Sequence, residues 1–503
     1  MAEFRVILTP DASLTLGQVR GMNDPHHDAT ATVVVGTQTY TNVQIHLKGS
    51  GSFRPLKYRP SFTLKFRKSQ PCLGLTKLHL NNSVHDPARL NEVLASELHL
   101  QAGIPTPRAT PVHVRLNDRD LGLYVLKEGF DERFLKRHFP DATGNLYDPS
   151  WAHDIDSPLE CDSGPGKTSR EIEASRQFPR QPERERLVNA LHGPISTRLS
   201  AVTQVLDVGL FFDAVGLQIL LDDWDGYARH HNNFRLYWDP SQERFVFLPH
   251  GMDLILGTPQ SPIYWPEFTG LVARRLFETP GVPQRIKARI ESLQRTVFTE
   301  TNLLTIVDRT SHRIQSALVN EPERVRRFYE ERANSLGQRL RRRLAVLHEG
   351  PPAHLVMLTG QSVVLSGWEP WAEIPQTDLI RATNAAGKPV LSIQANTPAT
   401  YGSWRTRLML PAGDYRFEGK AQLYQVRSWE NARDPGVGLR IVPGRRGPGA
   451  SGSTAAQPLQ HGFRLKQSAE VFFVAELSAH SGKVEFLEES LRVTRTGVGS
   501  PDP

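Results

Sequence analysis

The sequence predicts an α+β protein in three parts: a mainly β lobe with one helix over residues 1–130, a mainly helical lobe over 131–348, and an all-β sandwich over 354–503. Three observations predict it. Short β-rich runs fill the first 70 residues, as in "TATVVVG", "TYTNVQIHLKG" and "SFTLKF". Helical patterns dominate from about 269 to 348, and "EGPPAH" at 349–354 marks a change of composition. Beyond it, "WRTRLMLPAGDYRFEGKAQL", "VGLRIV" and "AEVFFVAEL" alternate with turn glycines, the pattern of a sandwich.

Taken in order, the elements follow from local chemistry. A helix is expected over 86–102, with Asp86 as cap, Pro87 in its first turn, Gly103 ending it and Pro105 preventing continuation. "VHVRLNDRDLGLYVLK", 112–127, reads as a hairpin turning at Asn117–Asp120. Residues 155–184, polar and rich in Gly, Pro and Arg, read as an irregular insertion. A second helix runs from about Asp207 to Leu221, and a second hairpin, "NFRLYWDPSQERFVFLP", ends just before "HGMDL".

At 503 residues, with 39% hydrophobic and 22% charged residues, the chain suits a multi-domain globular protein. No stretch reaches the roughly 18 apolar residues of a membrane span. The start, "MAEFRVILTPDASL", lacks a basic region followed by an apolar core, so no secretion leader is expected. Compartment stays open, with an extracytoplasmic or cell-surface location among the options. The net charge of +7 is concentrated in 326–350 and 440–449, without any nucleic-acid-binding motif, and reads first as a solvated helix face. Two cysteines, Cys72 and Cys161, exclude a disulfide-dense scaffold or a four-cysteine metal site and leave one bridge open.

The chemistry-bearing residues fall in four places. Glu97 lies on the apolar face of the first helix and needs a cationic partner; Lys65 in "SFTLKF" is the candidate. Such a pair can hold a polyphosphate. The alternative is an edge Glu and a surface Lys. "KGSGSFR" brings Lys48, Gly49, Ser50, Gly51, Ser52 and Arg54 just before that strand, with amides and hydroxyls able to face phosphate oxygens. It is neither a Walker A nor a G-x-G-x-x-G sequence, and an ordinary hairpin loop competes with the phosphate reading.

"LLDDWDGYARHHNNF" then delivers Asp222, Asp223 and Asp225 to the carboxyl end of a helix, where like charges repel and the helix dipole disfavours them. Asn232 and Asn233 add neutral oxygens, and the following hairpin can return Asp253 beside Asn233. Carboxylates with an amide suit Mg²⁺ or Mn²⁺. A carboxylate left over can accept a hydroxyl proton. Helix, base-bearing loop, amide, hairpin and acid follow one another as in a kinase C-lobe, although Asp and Asn also crowd ordinary turns. His230 and His231, adjacent and without cysteine neighbours, read as loop packing rather than zinc ligands.

The ordered segments "HLKGSGSFRPLKYRPSFTLKF", "LHLNNSVHDPARLNEVLASEL", "LNDRDLGLYVLKEGFDERFL", "GNLY", "LLDDWDGYARHHNNFRLYW" and "FVFLPHGMDLILG", over roughly 40–280, resemble the CotH-like protein kinase family, named for a bacterial spore-coat protein. The resemblance implies a bilobal atypical protein-kinase-like fold that uses ATP and a divalent metal to phosphorylate protein Ser or Thr. It implies a phosphate-binding role for Lys65, with Glu97 as its partner. Asp225 then resembles the catalytic aspartate and Asp253 the metal-binding aspartate. Asn233 becomes a metal or phosphate ligand, and Glu128 a nucleotide contact near the lobe junction. Two departures stand out. Asp223 occupies a position where the family often has Asn, and Asp225 and Asn233 are further apart than in the standard kinase loop, which leaves a structural role open for Asn232 or Asn233. The rival readings are an inactive kinase-like nucleotide- or protein-binding scaffold and a glycan- or envelope-binding C-terminal domain. In the latter, Trp368, Trp371, Tyr401 and Trp404 form a platform rather than core.

Overall fold

A computed structural model describes residues 1–21, 24, 27–149, 153–156, 160–163, 181–257, 268–349, 362–372, 377–396, 400–428, 435–442, 446–465 and 469–497. The chain divides into two compact units, 1–257 with 268–340, and 258–267 with 341–503. Most of the insertion expected at 155–184 lies outside the described residues.

The first unit opens with β1 (Glu3–Leu8), α1 (Pro10–Gly17), β2 (Ala29–Val35), β3 (Gln38–Lys48), β4 (Ser61–Lys65), β5 (Lys77–Asn81), α2 (Asn91–Gln101), β6 (Ala109–Leu116) and β7 (Arg119–Glu128). These strands close into a barrel in the order β1-β2-β3-β4-β5-β7-β6. Alternation decides its inside: Ile45, Leu47, Phe62, Leu64, Leu78, Leu80, Tyr124 and Leu126 belong to one buried core. Each such apolar side chain contributes about 1.5–3 kcal/mol on burial, and a one-residue slip would turn the whole set outward, so the register is strongly specified.

The first predicted helix starts later than expected, at Asn91. Arg89 takes a left-handed conformation (φ +62°) that breaks the helix before it begins. Its buried guanidinium donates to the carbonyls of Ser83 (2.8 Å) and Leu123 (3.0 Å), holding the 83–90 segment as a folded loop. The cap position falls on Leu90 rather than Asp86, which instead accepts the Asn91 amide at 2.8 Å from five residues away.

After α3 (Glu132–His138) come β8 (Leu146–Asp148), β9 (Glu160–Ser163), α4 (Pro182–His192), α5 (Ile195–Thr203) and α6 (Val208–Leu220). A short helix, α7 (Tyr227–His230), precedes the hairpin β10 (Phe234–Asp239) and β11 (Arg244–Pro249). Strands β11-β10-β8-β9 form a small sheet. α6 is buried all round from Phe211 to Leu220, mostly through apolar side chains, and is capped by Asp207 through the Leu210 amide at 3.0 Å. The rest is helical: α8 (Leu271–Phe277), α9 (Val282–Thr296), α10 (Glu300–Ala317) and α11 (Glu323–Glu349). Among the described residues no helix is long and apolar enough to cross a membrane. Cys72 is a buried free thiol, so the bridge left open by the sequence is not made.

The second unit contains β12 (Ser362–Val364), β13 (Glu369–Ala372), β14 (Asp378–Thr383), β15 (Pro389–Ala395), β16 (Thr400–Leu410) and β17 (Gly413–Arg427). It continues through β18 (Gly436–Val442), β19 (Gly452–Leu465), β20 (Ala469–Ala479), β21 (Ser481–Leu487) and β22 (Arg492–Gly497). One sheet runs β12-β22-β17-β21-β15-β14 with β19 on β17, and the other runs β13-β16-β20-β18. Both contribute to a single core containing Leu391, Phe417, Leu439 and Phe473. The four aromatics expected as a platform do not form one surface. Trp368 and Trp404 are core residues, their indole N–H groups donating to the Leu365 and Ser392 carbonyls. Trp371 and Tyr401 are half-buried and meet edge to face, 5.4 Å apart.

Candidate functional site

The outer face of the barrel, opposite its apolar core, carries a polar row that the strand registers align. Thr63 pairs with His79 and His79 with Lys127, while Lys65 pairs with Lys77 and Lys48 with Ser61. Helix α2 lays Glu92 over this row. The Lys127 ammonium donates to Glu92 Oε1 at 2.9 Å, and the two side chains are only 8% and 3% exposed. Asn81 donates to Glu92 Oε2 at 3.1 Å and accepts from the Lys48 ammonium at 3.0 Å, so two lysines are tied to one glutamate through an amide.

The pair expected between Lys65 and Glu97 is not formed. Lys65 shares the outer face, but at the end of its strand away from Lys48, where it is exposed. Glu97, at the edge of α2 rather than the centre of its buried face, pairs with Arg309 of α10 and accepts from Gln101. Glu128 is buried, and its carboxylate is clamped by Arg108 (3.1 Å) and Arg137 (2.5 Å), so its side chain is already satisfied by protein donors.

Directly after Lys48 the chain turns. Gly49 adopts φ +118°, and a Cβ there would lie 3.0 Å from the Phe53 nitrogen and the Ser52 hydroxyl, which requires glycine. The Ser50 carbonyl accepts the Phe53 amide at 3.0 Å, and the Ser52 carbonyl accepts from Asn82 at 3.0 Å. Arg54 donates to the Phe53 carbonyl at 2.6 Å. Gly51 stays exposed, close enough to the His85 ring that a Cβ would meet its Cε1 at 3.7 Å.

The acidic segment follows α6. Asp222, in a left-handed conformation, pairs with Arg229 at 3.2 Å. Asp223 is buried, and its Oδ1 has no hydrogen-bond partner. Asp225 is half-buried, with its Oδ2 accepting from the Asn233 amide at 3.0 Å and from Asn232 at 3.3 Å. β11 returns beside Asn233: the Asn233 carbonyl accepts the His250 amide at 3.0 Å, and Gly251 packs against its side-chain oxygen where no Cβ would fit. Two residues on, the Asp253 carbonyl accepts from Asn91 at the start of α2 (2.9 Å), and its Oδ2 lies 4.0 Å from His85 Nδ1. His230 packs on Trp224 with ring centres 5.0 Å apart, as loop packing requires.

These groups feel one another. Burial and the Lys127 charge push the Lys48 ammonium down to about 7, against the pull of Glu92 and Asp253. Burial opposes ionisation of Glu92, but Lys127, Lys48 and the Asn81 hydrogen bond hold it below the ordinary carboxylate value. Burial, then Glu92 and Asp86, raise Asp253 to about 7. Asp223 is raised well above its ordinary value by burial and then by Asp225, Asp253 and Asp222. Among the described residues no group of three or more His, Cys, Asp or Glu side chains is arranged to hold a metal ion. Asp222 is compensated by Arg229, so the oxygens left in this segment for a hard cation are those of Asp225, Asn233 and Asp253.

Glu92 and Lys127 were not singled out by sequence reasoning. The available signal was a lysine ending the buried run "LYVLK", which needs a buried anion.

The raised Asp223 gives a pH prediction. An acid whose folded pKa lies above its unfolded value keeps its proton where the unfolded chain has lost it, so stability falls as pH rises above about 4. A protonated carboxyl has nearly the shape of an amide. Asp223→Asn is therefore expected to stabilise by about 1–2 kcal/mol at pH 8, with little gain at pH 4. Melting curves of both proteins across this range check it, and a difference independent of pH would refute it.

The family model described as CotH kinase protein matches residues 45–347. The inner spore coat protein H of Bacillus subtilis (strain 168) is 24% identical over 236 residues, covering 46% of this chain and 63% of that protein, so less than two thirds of the relative's length is spanned. A Helicobacter pylori proinflammatory kinase, CtkA, is similar over 66% of this chain and 95% of its own, at 11% identity and a TM-score of 0.25. TmCBM61 in complex with beta-1,4-galactotriose is similar over 26% of this chain and 89% of its own, at 12% identity and a TM-score of 0.20. The family match alone runs over more than half of the sequence, from the end of the barrel strand that bears Lys48 through the acidic segment and the helices beyond it, and the chain belongs to the CotH kinase protein family.

Proposed function

We propose that the protein transfers a phosphoryl group from ATP, with Mg²⁺ or Mn²⁺, to Ser or Thr hydroxyls of a protein substrate. The observation that carries this reading is the buried Lys127–Glu92 pair, with Lys48 linked to it through Asn81 and Asp253 within reach of its charge. Lys127 and Lys48 hold phosphate oxygens, Glu92 orients Lys127, and the Gly49–Ser52 turn with Arg54 encloses the same oxygens. Asp253 and Asn233 would hold the cation, which when bound neutralises charge on the phosphates. Asp225, steadied by Asn233 and Asn232, orients the acceptor hydroxyl and takes its proton. Lys65 and Glu97 have no part in this reading, and Glu128 serves the fold. Positioning and charge neutralisation do most of the work, because phosphoryl transfer asks for little covalent help.

The test measures ATP consumption and phosphate incorporation into casein or the protein itself, with and without Mn²⁺. Metal-dependent transfer is expected to fall by about 10²-fold or more in Asp225→Ala and Asp253→Ala. Variants as active as the wild type would remove both residues from the mechanism. Wild-type binding of nucleotide without transfer to any acceptor would favour the scaffold reading.

On its similarity to an inner spore coat protein we place the chain outside the cytoplasm, at a coat or cell surface. A glycan or envelope partner for the second unit rests on the Trp371–Tyr401 edge alone. A glycan array probed with the full chain and with Trp371→Ala tests it: loss of signal in the variant supports this partner, and equal signals exclude that edge.

A further inference from the structure

The 49–60 connection has a second side. Beyond Arg54, residues 55–58 form one wall of a cavity of about 700 Å³, whose other walls come from α1, Arg20 and the turn between β6 and β7. None of the residues lining it belongs to the candidate phosphate site. Leu8 and Leu116 are buried at its walls, and Leu56 is half-buried there. Arg20, Lys57 and Arg119 line the same space, all exposed, and no acidic side chain lines it among the described residues.

Of the nearby acids, Asp118 is exposed in the turn between β6 and β7, while Asp24 and Asp120 accept from groups of their own. Asp24 accepts the backbone amides of Arg20 (2.7 Å) and Gly21 (2.9 Å), and Asp120 faces His113 at 3.0 Å. Arg119 donates to the carbonyls of Leu56 (3.0 Å), Lys57 (2.9 Å) and Tyr58 (2.6 Å), which fixes the wall without neutralising its own charge. Three exposed cations thus line one cavity whose walls also carry leucines, so positive charge and apolar surface are offered together. Its volume falls within the range of about 300–1,000 Å³ usual for small-molecule sites.

We propose that this cavity binds a small organic anion, its carboxylate or phosphate between Arg20, Lys57 and Arg119 and its apolar body against Leu8, Leu56 and Leu116. The charge demands an anion, and the leucines demand that it not be a bare inorganic ion. Because the site shares no residue with the proposed phosphate-transfer machinery, it stands or falls independently of that activity.

Isothermal titration of the full-length protein with phenyl phosphate, benzoate and neutral benzyl alcohol tests this. Saturable binding of at least one anion is expected, with no measurable binding of the alcohol. Phenyl phosphate alone would identify a phosphorylated ligand, and benzoate alone a carboxylate. The double variant R20E/K57E, altered only at exposed side chains, is expected to bind at least tenfold more weakly with an unchanged melting temperature. Ser13→Phe, which fills the cavity without changing its charge, is expected to lose binding as well. Absence of saturable binding by either anion, or equal affinity in the wild type and both variants, would overturn the proposal.

Discussion

Replacing Lys127 with methionine is expected to lower phosphate transfer from ATP by about 10²–10³-fold, whereas Lys65→Met should leave it within about twofold. Methionine keeps the length and packing of the lysine stem and removes only its charge. At position 127 that charge is buried against Glu92 and linked to Lys48 through Asn81; at position 65 it stands in solvent. A phosphate group approaching the first lysine meets a preoriented cation in a partly dry site, where each hydrogen bond to developing charge is strengthened. Removing Lys127 also leaves Glu92 with less compensation, and uncompensated buried charge can unfold a protein. The double variant Glu92→Gln/Lys127→Met separates the two effects, since it removes both charges together. It is expected to recover melting temperature without recovering transfer. Equal losses in Lys65→Met and Lys127→Met, or full activity in the latter, would defeat the assignment.

The contrast between these two lysines shows what was readable in the chain and what was not. Strand alternation correctly puts Lys65 opposite Phe62, Leu64 and Phe66, and the apolar run expected as a helix from about Asp207 to Leu221 locates α6 to within a residue. Both depend on neighbours a few positions away. The choice among Lys48, Lys65 and Lys127 does not, because it depends on which register row α2 covers once the barrel closes. That row is set by Thr63, His79 and Lys127, drawn from three strands. The same limit applies to the helix: apolar periodicity puts Glu97 on the inner face, whereas in the folded chain Glu92 is the acid covered against Lys127 and Glu97 sits at the edge with Arg309. In the acidic segment a short hairpin joins β10 to β11, so the return of the chain beside Asn233 just before Asp253 was visible from spacing. The protonation pressure on Asp223 needed burial, which spacing does not report.

In the second unit the largest single loss is expected from Glu476→Ala, about 3–5 kcal/mol. Glu476 is fully buried in β20 on the face of its sheet turned away from the shared apolar core. Arg440 donates to both of its oxygens (3.0 and 2.9 Å), Arg446 lies 3.0 Å from Oε1, and the Tyr401 hydroxyl donates to Oε2 at 2.7 Å. Burial opposes ionisation, but the two guanidiniums and the Tyr401 hydrogen bond outweigh it and hold the carboxyl below its usual value. Alanine would leave two cations facing each other without their shared anion and free the phenol that positions Tyr401. Glutamine keeps the shape and one acceptor, so Glu476→Gln should lose less than alanine. Hydrogen exchange distinguishes local from global damage: protection should fall in β16, β18 and β20 while the barrel of the first unit keeps its own. The same variant bears on the sequence expectation of an aromatic platform. If Tyr401 serves the fold through Glu476 rather than a ligand, Glu476→Ala and Tyr401→Phe should both loosen β16, the latter by about 1 kcal/mol for one lost hydrogen bond. Unchanged exchange in β16 for both variants would mean that this buried charge cluster contributes nothing to holding the sheet.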